Sequence, residues 1–405
     1  METIYTKATI EDRDEIMDLG NYVFSHSHSS VDFPSTLPKL YKSEFFMDSF
    51  HYIVKEDGRI KAAIGAYPLE LETVCASAGC GCGGCCPQGK IAVPGRGIGM
   101  VSVHPYRRSK GYMKALMKMA MDDMKKDGIV FSCLGGQRQR YEYFGFYPVG
   151  SNFSFTCSGT NIRHLLGSGF KSSLTIEKVN ADNAELLDAI LAMHGQKSFC
   201  MKRDRKKLFD ILSSWKAETY IVKEGSSIEG YFIYNGHDFI SEIILKNYSR
   251  LIEIPLLLKE KAGHDLSVKI NAGPHEKEKI AALSRFAEYY NQAHTYQFAV
   301  LDYVRFTDAL IKHKAGLEKI SEGSFVIKVE DKTHGHNSTM RLFAGKGGAG
   351  VAETTEAPVI TMNSSEASAF LFSPLAFQSS PLIRENEFLR SLLPLPLFVE
   401  EADKI

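Results

Sequence analysis

A phosphate needs donors that are already in place, and one stretch of this sequence supplies them: Val101-Ser-Val-His-Pro105-Tyr-Arg-Arg108-Ser-Lys-Gly111-Tyr-Met-Lys114. A strand that ends at a proline, a basic turn with a glycine and then a helix gather unpaired backbone N–H groups at the positive end of a helix dipole. Arg107, Arg108 and Lys110 add charge, and Gly111 lets the backbone approach an anion with no Cβ in the way. Downstream, Tyr141-Glu-Tyr-Phe-Gly-Phe146 offers a phenol, a proton donor whose ordinary pKa is about 10. Its neighbour Tyr143 reads as a core or hinge aromatic.

The elements that must position these groups are legible on both sides. A strand near Ile4–Ala8, helices from Asp12 through Asp48 and a hairpin, HYIVKEDGRIKAAIGAY from His51, come first. A strand over Gly99–His104 then leads into a helix from about Arg108 to Lys126. Its Met113, Leu116, Met117, Ala120 and Met124 recur at helical spacing, and Gly128 is a stop. A strand over Ile129–Leu134, a short helix around Gln137–Tyr143 and strands through Phe153–Cys157 complete a mixed α/β sheet.

The hairpin recurs as TYIVKEGSSIEGYFIY from Thr219, at a domain-sized offset, which points to a duplicated domain. The second copy runs from about Leu174 to His294 after a join near Gly167–Ser173. A third region from about Tyr296 opens with a helix over Val300–Lys314 and continues with strands over Ser324–Glu330 and Thr339–Phe343. VITMNSSEASAF follows as a strand and a Ser-rich turn, before the apolar tail LLPLPLFVEEADKI.

The turn at Arg108 resembles the pyrophosphate loop of the GNAT superfamily of N-acetyltransferases, Arg/Gln-x-x-Gly-x-Gly/Ala after a V-x-V-x-P strand. Met113 departs from the small residue of that pattern. With the duplication and the third region, the whole chain resembles the enhanced-intracellular-survival acetyltransferases. That resemblance implies an α/β (α+β) fold: tandem GNAT folds with mixed central sheets plus a C-terminal sterol-carrier-protein-like α+β domain. The implied domains are a catalytic GNAT domain at 1–158, a degenerate one at 174–294 and the C-terminal domain at 296–405.

The resemblance further implies acetyl-CoA as co-substrate. Val101 and Val103 would offer strand-edge groups to its pantetheine arm, and Arg108, Ser109, Lys110, Gly111, Tyr112, Met113 and Lys114 would hold its pyrophosphate. Direct transfer to an amine needs a proton acceptor, oxyanion donors and an acid for the departing thiolate. Tyr141, three residues before Phe144-Gly145, aligns with the family's general acid. The family's general base is a terminal carboxylate, here that of Ile405, where many relatives end in an aromatic residue. Glu400, Glu401 and Asp403 read either as an attractor for a cationic amine or as a solvated acidic end. No Arg/Gln-x-x-Gly turn follows the second hairpin, so that copy is expected not to bind acetyl-CoA.

The expected activity is acetyl transfer in a ternary complex to a small-molecule or side-chain primary amine, of aminoglycoside, polyamine or lysine type. The alternative is a non-catalytic GNAT scaffold that binds a ligand or a metal. Across 405 residues, 48 basic and 48 acidic side chains leave no positive field for a nucleic-acid partner. No apolar run is long enough to span a membrane, and the N-terminus lacks a signal-like pattern, so a cytoplasmic protein is expected. The family implies a homo-oligomer, up to a hexamer.

Five cysteines, Cys75, Cys80, Cys82, Cys85 and Cys86, form one local feature that could bind zinc or copper(I) or form disulfides, and catalysis does not require it. Cys133 and Cys157 read as core thiols. Gly95-Arg-Gly97-Ile-Gly99 reads as a turn and strand entrance, Gly345–Gly348 as a flexible turn, and the pairs His26/His28 and His334/His336 as solvated loops. No metal ligand is expected in the active site.

Overall fold

A computed structural model describes residues 2–26, 30–74, 89–167, 169–236, 238–263 and 267–405. The five clustered cysteines lie outside the described residues. By contacts the chain separates into two compact units: Met1–Gly150 with Tyr296–Leu395 and Lys404–Ile405, and Ser151–Thr295 with Pro396–Asp403.

The first unit is built on β1 (Thr3–Lys7), α1 (Arg13–Ser25), β2 (His51–Glu56), β3 (Arg59–Val74), β4 (Lys90–Val103), α2 (Tyr112–Lys126), β5 (Phe131–Leu134) and β6 (Tyr147–Val149). β1 to β4 run antiparallel, and β5 is parallel to β4. The strand between β5 and β6 arrives from far along the chain: it is Tyr296–Val300, antiparallel to both. Sequence reading had placed the start of a helix there; the helix begins later, at Tyr303.

β2 is apolar at successive positions because both faces of the sheet are covered. Tyr52 and Val54 pack with Leu116, Met117, Ala120 and Met124 of α2, whereas Ile53 packs with Ile16, Met17 and Leu19 of α1. α2 contains no β-branched residue, and Lys125 and Lys126 sit at its negative end, so local propensity and dipole agree with its packing. Truncating Leu116 or Met117 to Ala would cost about 2–5 kcal/mol.

Two irregularities of β4 shape the site. Ala63 faces Ser102 while Gly65 faces Gly99, so β4 holds one extra residue, and Met100 takes a left-handed φ of 48° at this bulge. β4 and β5 pair from Gly95↔Phe131 to Gly97↔Cys133 and no further, so beyond the bulge Val101 and Val103 belong to an unpaired strand edge. The glycines read as a turn lie inside β4. A Cβ at Gly95 would come within 2.3 Å of the Phe131 ring, and one at Gly97 within 2.1 Å of the Ile405 side chain. They are demands for space.

In the second unit, β7 (Asn152–Ser158), β8 (Leu174–Lys178), a short β9 (Phe199–Met201), β10 (Glu218–Glu224), β11 (Ser227–Tyr234), β12 (Phe239–Leu245), β13 (Ser267–Ala272) and β14 (Tyr289–Ala293) follow in order. The sheet runs β14-β7-β13-β12-β11-β10-β8. β7, expected to end the first copy, pairs with β13 and β14 instead. The repeat itself is exact in one detail: both hairpins shift register inside Val-Lys, at Val54/Lys55 and at Val222/Lys223.

The remainder of the first unit contains β15 (Tyr296–Val300), α3 (Tyr303–Leu317), β16 (Gly323–Asp331), β17 (His336–Gly345), β18 (Gly348–Glu353), β19 (Ile360–Asn363) and α4 (Ser364–Phe372), with sheet order β18-β17-β16-β19. The segment read as a Ser-rich turn is α4. Asn363 and Glu366 form a capping box that satisfies its first amides. Cys133 and Cys157 are buried. Among the described residues no helix is long and apolar enough to cross a membrane, and no group of three His, Cys, Asp or Glu side chains could hold a metal ion.

Candidate active site

After β4, Pro105–Arg107 make a single tight turn, Ser109 takes φ 66° and Gly111 takes φ 79°, and α2 starts at Tyr112. Two left-handed residues this close are a backbone form whose amides can line an anion-binding concavity. Ala115 N–H is the first to bond back, to Gly111 O at 3.0 Å, which leaves the amides of Tyr112, Met113 and Lys114 open. Gly111 is needed for its φ, since its missing Cβ would meet nothing.

This turn opens onto a cavity of about 820 Å³. Val101, Val103, Arg108, Ser109, Gly111, Tyr112, Met113, Lys114 and Tyr141 all line it, so the structure brings together nine of the eleven residues expected from the sequence. Lys110 is not among them. Its ammonium pairs with Glu56 at 2.9 Å, as does Arg107 Nε at 2.5 Å, and Tyr112 also donates to Glu56. Those hydrogen bonds, Tyr112's foremost, hold the Glu56 carboxyl at about 2, so it stays anionic and ties the turn to β2. Arg108 and Arg140 face the cavity and make no ion pair among the described residues.

Tyr141 belongs to a short helix after β5, and its ring packs on Phe146 at 6.5 Å between centroids. Burial pushes its phenol above the usual range, opposed by the charge of Arg140, so the hydroxyl keeps its proton at neutral pH. Tyr143 is 62% exposed and carries the Lys114 ammonium 4.6 Å above its ring at the cavity edge; it is not a core residue. Gln137 and Gln139 also line the cavity, without any signal in their spacing.

Ile405 does not line the cavity. It lies beside it on β4, its side chain filling the places where Gly97 and Gly99 lack one. The Tyr296 hydroxyl brackets its main chain, donating to the Ile405 oxygen at 2.6 Å and accepting from its N–H at 3.2 Å, and Lys39 donates to the Lys404 carbonyl at 2.7 Å. The rings of Tyr296 and Tyr141 rest on adjacent residues just past β5. A Cβ at Gly135 would meet Tyr296 at 2.9 Å and one at Gly136 would meet Tyr141 at 2.4 Å. A buried set lies against Gly99: Tyr67 Oη is 2.9 Å from Tyr41 Oη and 2.9 Å from His51 Nε2. Burial lowers His51 to about 4, so this ring is neutral.

Glu400 and Asp403 serve neither expected role. Both are buried in the second unit, where Glu400 pairs with Lys197 and Asp403 with Arg203 at 2.9 Å, which also pairs with Glu242 at 2.6 Å. Burial and the nearby Glu242 and Glu276 carboxylates push Glu400 up to about 7, against the pull of Lys197. Among its described residues the second copy has no counterpart of the turn at Ser109–Gly111. After β12 the Asn247 side chain caps the backbone of Ser249, Pro255 sits in the first turn of the helix Ile254–Ala262, and residues 246–262 contain no left-handed residue.

Residues 88–149 match the family described as acetyltransferase (GNAT) domain, a span that holds the cavity residues from Val101 to Phe144. No curated protein sequence matches this chain. Among solved structures, a GCN5-related N-acetyltransferase from Kribbella flavida is similar with a TM-score of 0.68 at 14% identity, covering 100% of this chain and 98% of its own. A probable N-acyltransferase from Enterococcus faecalis V583 has a TM-score of 0.68 at 15% identity, with 99% and 100% covered. Eis1 from Mycobacterium abscessus has a TM-score of 0.60 at 14% identity, with 100% and 99% covered. At these identities the likeness concerns the fold, which extends over the whole chain.

Proposed function

We propose that this chain, an N-acetyltransferase by its acetyltransferase (GNAT) domain, takes an acetyl group from acetyl-CoA and passes it to a primary amine by direct attack in a ternary complex. The observation that carries the reading is the cavity in which open helix amides, two arginines with no ion pair among the described residues, an unpaired strand edge and a protonated phenol meet. The amides of residues 112–114 with Ser109, Gly111, Arg108 and Lys114 would hold the pyrophosphate, and Lys110 would add charge from beside Glu56. Val101 and Val103 would receive the pantetheine arm. The amine nitrogen attacks the thioester carbon, the C–S bond breaks, and Tyr141 gives its proton to the departing sulfur. The carboxylate of Ile405 would take the proton lost by the amine. Its support is the Tyr296 bracket and its seat next to the unpaired stretch of β4.

The acceptor would be of aminoglycoside, polyamine or lysine type. We read the four-stranded sheet with α3 and α4 as a sterol-carrier-protein-like domain, and the protein as a cytoplasmic homo-oligomer. Thermal melting with acetyl-CoA tests the premise: at a hundredfold excess over Kd the chain should gain about 2.7 kcal/mol. A panel of amines with CoA release as readout tests the rest. A chain that acetyl-CoA does not stabilise, and that releases CoA with no amine, would end this reading. Residues added after Ile405 should depress turnover and spare acetyl-CoA binding; full turnover would remove Ile405 as base.

A further inference from the structure

The turn that carries Tyr141 is gripped by a side chain from far along the sequence. His334 Nε2 lies 3.2 Å from the Phe144 carbonyl, and His334 Nδ1 lies 2.7 Å from Asp331 Oδ2. His334 comes from the turn between β16 and β17, expected to be a solvated loop, yet the two side chains are only 4% and 2% exposed. This turn and the Tyr141 segment lie in the same compact unit. A carbonyl and a carboxylate only accept hydrogen bonds, so both contacts are made together when each ring nitrogen carries a hydrogen.

Asp331 is held in turn. Its Oδ1 accepts from the amides of Thr333 and His334 at 3.1 and 3.0 Å, and its carbonyl from Gly335 at 2.7 Å. Burial alone would raise its carboxyl, but the hydrogen bond and charge of His334 overcome that and hold it below the ordinary range. On the opposite side the ring occupies the place of a missing side chain: a Cβ on Gly145, at φ 83°, would come within 2.5 Å of His334 Cε1. Lys125, in the last turn of α2, donates to the His334 carbonyl at 2.6 Å. One residue thus meets both the helix that opens the phosphate turn and the segment that bears the phenol.

We propose that His334, oriented by Asp331, is a positioning residue for Tyr141: it fixes the Phe144 carbonyl and so the turn whose own bonds, Gly145 N–H to Glu142 O and Phe146 N–H to Tyr141 O, place the phenol at the cavity wall. The inference rests on reading Tyr141 as the proton donor. Only two residues separate the phenol from the gripped peptide, and a shift of about 1 Å at a reacting group can cost on the order of 10²-fold in rate.

Kinetics of the full chain test this. Asn at this position can keep a donor near Nδ1 but not at Nε2, whereas Gln can restore the one at Nε2. His334→Asn should lower kcat about tenfold or more with KM for acetyl-CoA unchanged, and His334→Gln should recover most of the loss. Asp331→Asn, which keeps the shape of the orienting group, should lower kcat less than His334→Asn. In a Tyr141→Phe background, His334→Asn should cost nothing more. An unaltered kcat for His334→Asn beside an inactive Tyr141→Phe would overturn the inference and leave the acid assignment standing. Full turnover by Tyr141→Phe would overturn both. A His334→Asn loss that persists undiminished in the Tyr141→Phe background would reduce His334 to packing. Stabilisation by acetyl-CoA reports that each variant is folded, and if His334→Asn is not, the Asp331→Asn and His334→Gln pair decides by the same criteria.

Discussion

The turn after β4 and the interior of the second unit both gather positive side chains, and they leave them in opposite states. Arg108 and Arg140 face a cavity with no ion pair among the described residues, while Lys197, Arg203 and Lys279 are buried against Glu400, Asp403, Glu242 and Glu276. The backbones differ in the same sense. Ser109 and Gly111 turn amides outward, whereas Asn247 supplies a cap from within the chain. A cation neutralised by its own chain has nothing left for a ligand; one held open at a concavity does. Among the described residues the first unit thus leaves two cations open at its cavity, and the second unit neutralises its own.

The comparison breaks first, if it is wrong, at Arg203. Arg203→Met would strand Glu242 and Asp403 as buried charges, so stability should fall by about 3–5 kcal/mol in a denaturant titration. A loss below about 1 kcal/mol would mean that the buried pairs are not what holds this core. Arg108→Ala should do the reverse, leaving the denaturation midpoint in place while the Kd for acetyl-CoA, by calorimetry, rises about tenfold or more. An unchanged Kd would deny the open cation its ligand.

Acid sharpens the contrast, because the first unit buries His51 as a neutral ring. Its folded value, about 4, lies below the unfolded 6.5, so the unfolded chain binds the extra proton between them. Stability from this residue is complete above pH 6.5 and is lost as pH falls toward about 4, which amounts to about 2 kcal/mol between pH 6.5 and 5. Burial lowers His313 to about 4 as well, so in His51→Gln the slope should fall by about half; an unchanged slope would assign it to other groups. The smallest effect is expected at Lys110, which Glu56 engages already: Lys110→Ala should change the acetyl-CoA Kd by less than about threefold, clearly below the Arg108 effect.

The turn after β4 was legible because its signals are local: the proline, the arginines, Gly111 and an amphipathic helix lie within one short stretch. The repeated hairpin was legible down to its apolar strands. What escaped depends on contacts between distant residues. Glu56 meets Arg107, Lys110 and Tyr112 only after β2 is in place. The bulge at Met100 needs the register of β3 and a place for the methionine against Gly20, where a Cβ would lie 3.1 Å from its sulfur. His334 gave no hint, since a histidine in a glycine turn reads as solvated until its partners, Asp331 and Phe144, are known. α4 did carry a local signal, the capping box Asn363-Ser-Ser-Glu366.

The strand Tyr296–Val300 has a temporal meaning. During synthesis β5 and β6 emerge with their facing edges bare, and the piece that joins them follows roughly 150 residues later, about 8–30 s at ordinary translation rates. Over that interval the first unit's sheet stays open at β5 and invites foreign pairing. A shortened gene that stops after the first half would keep the turn after β4 and Tyr141, lose Ile405 and yield a protein with an unfilled slot in its sheet.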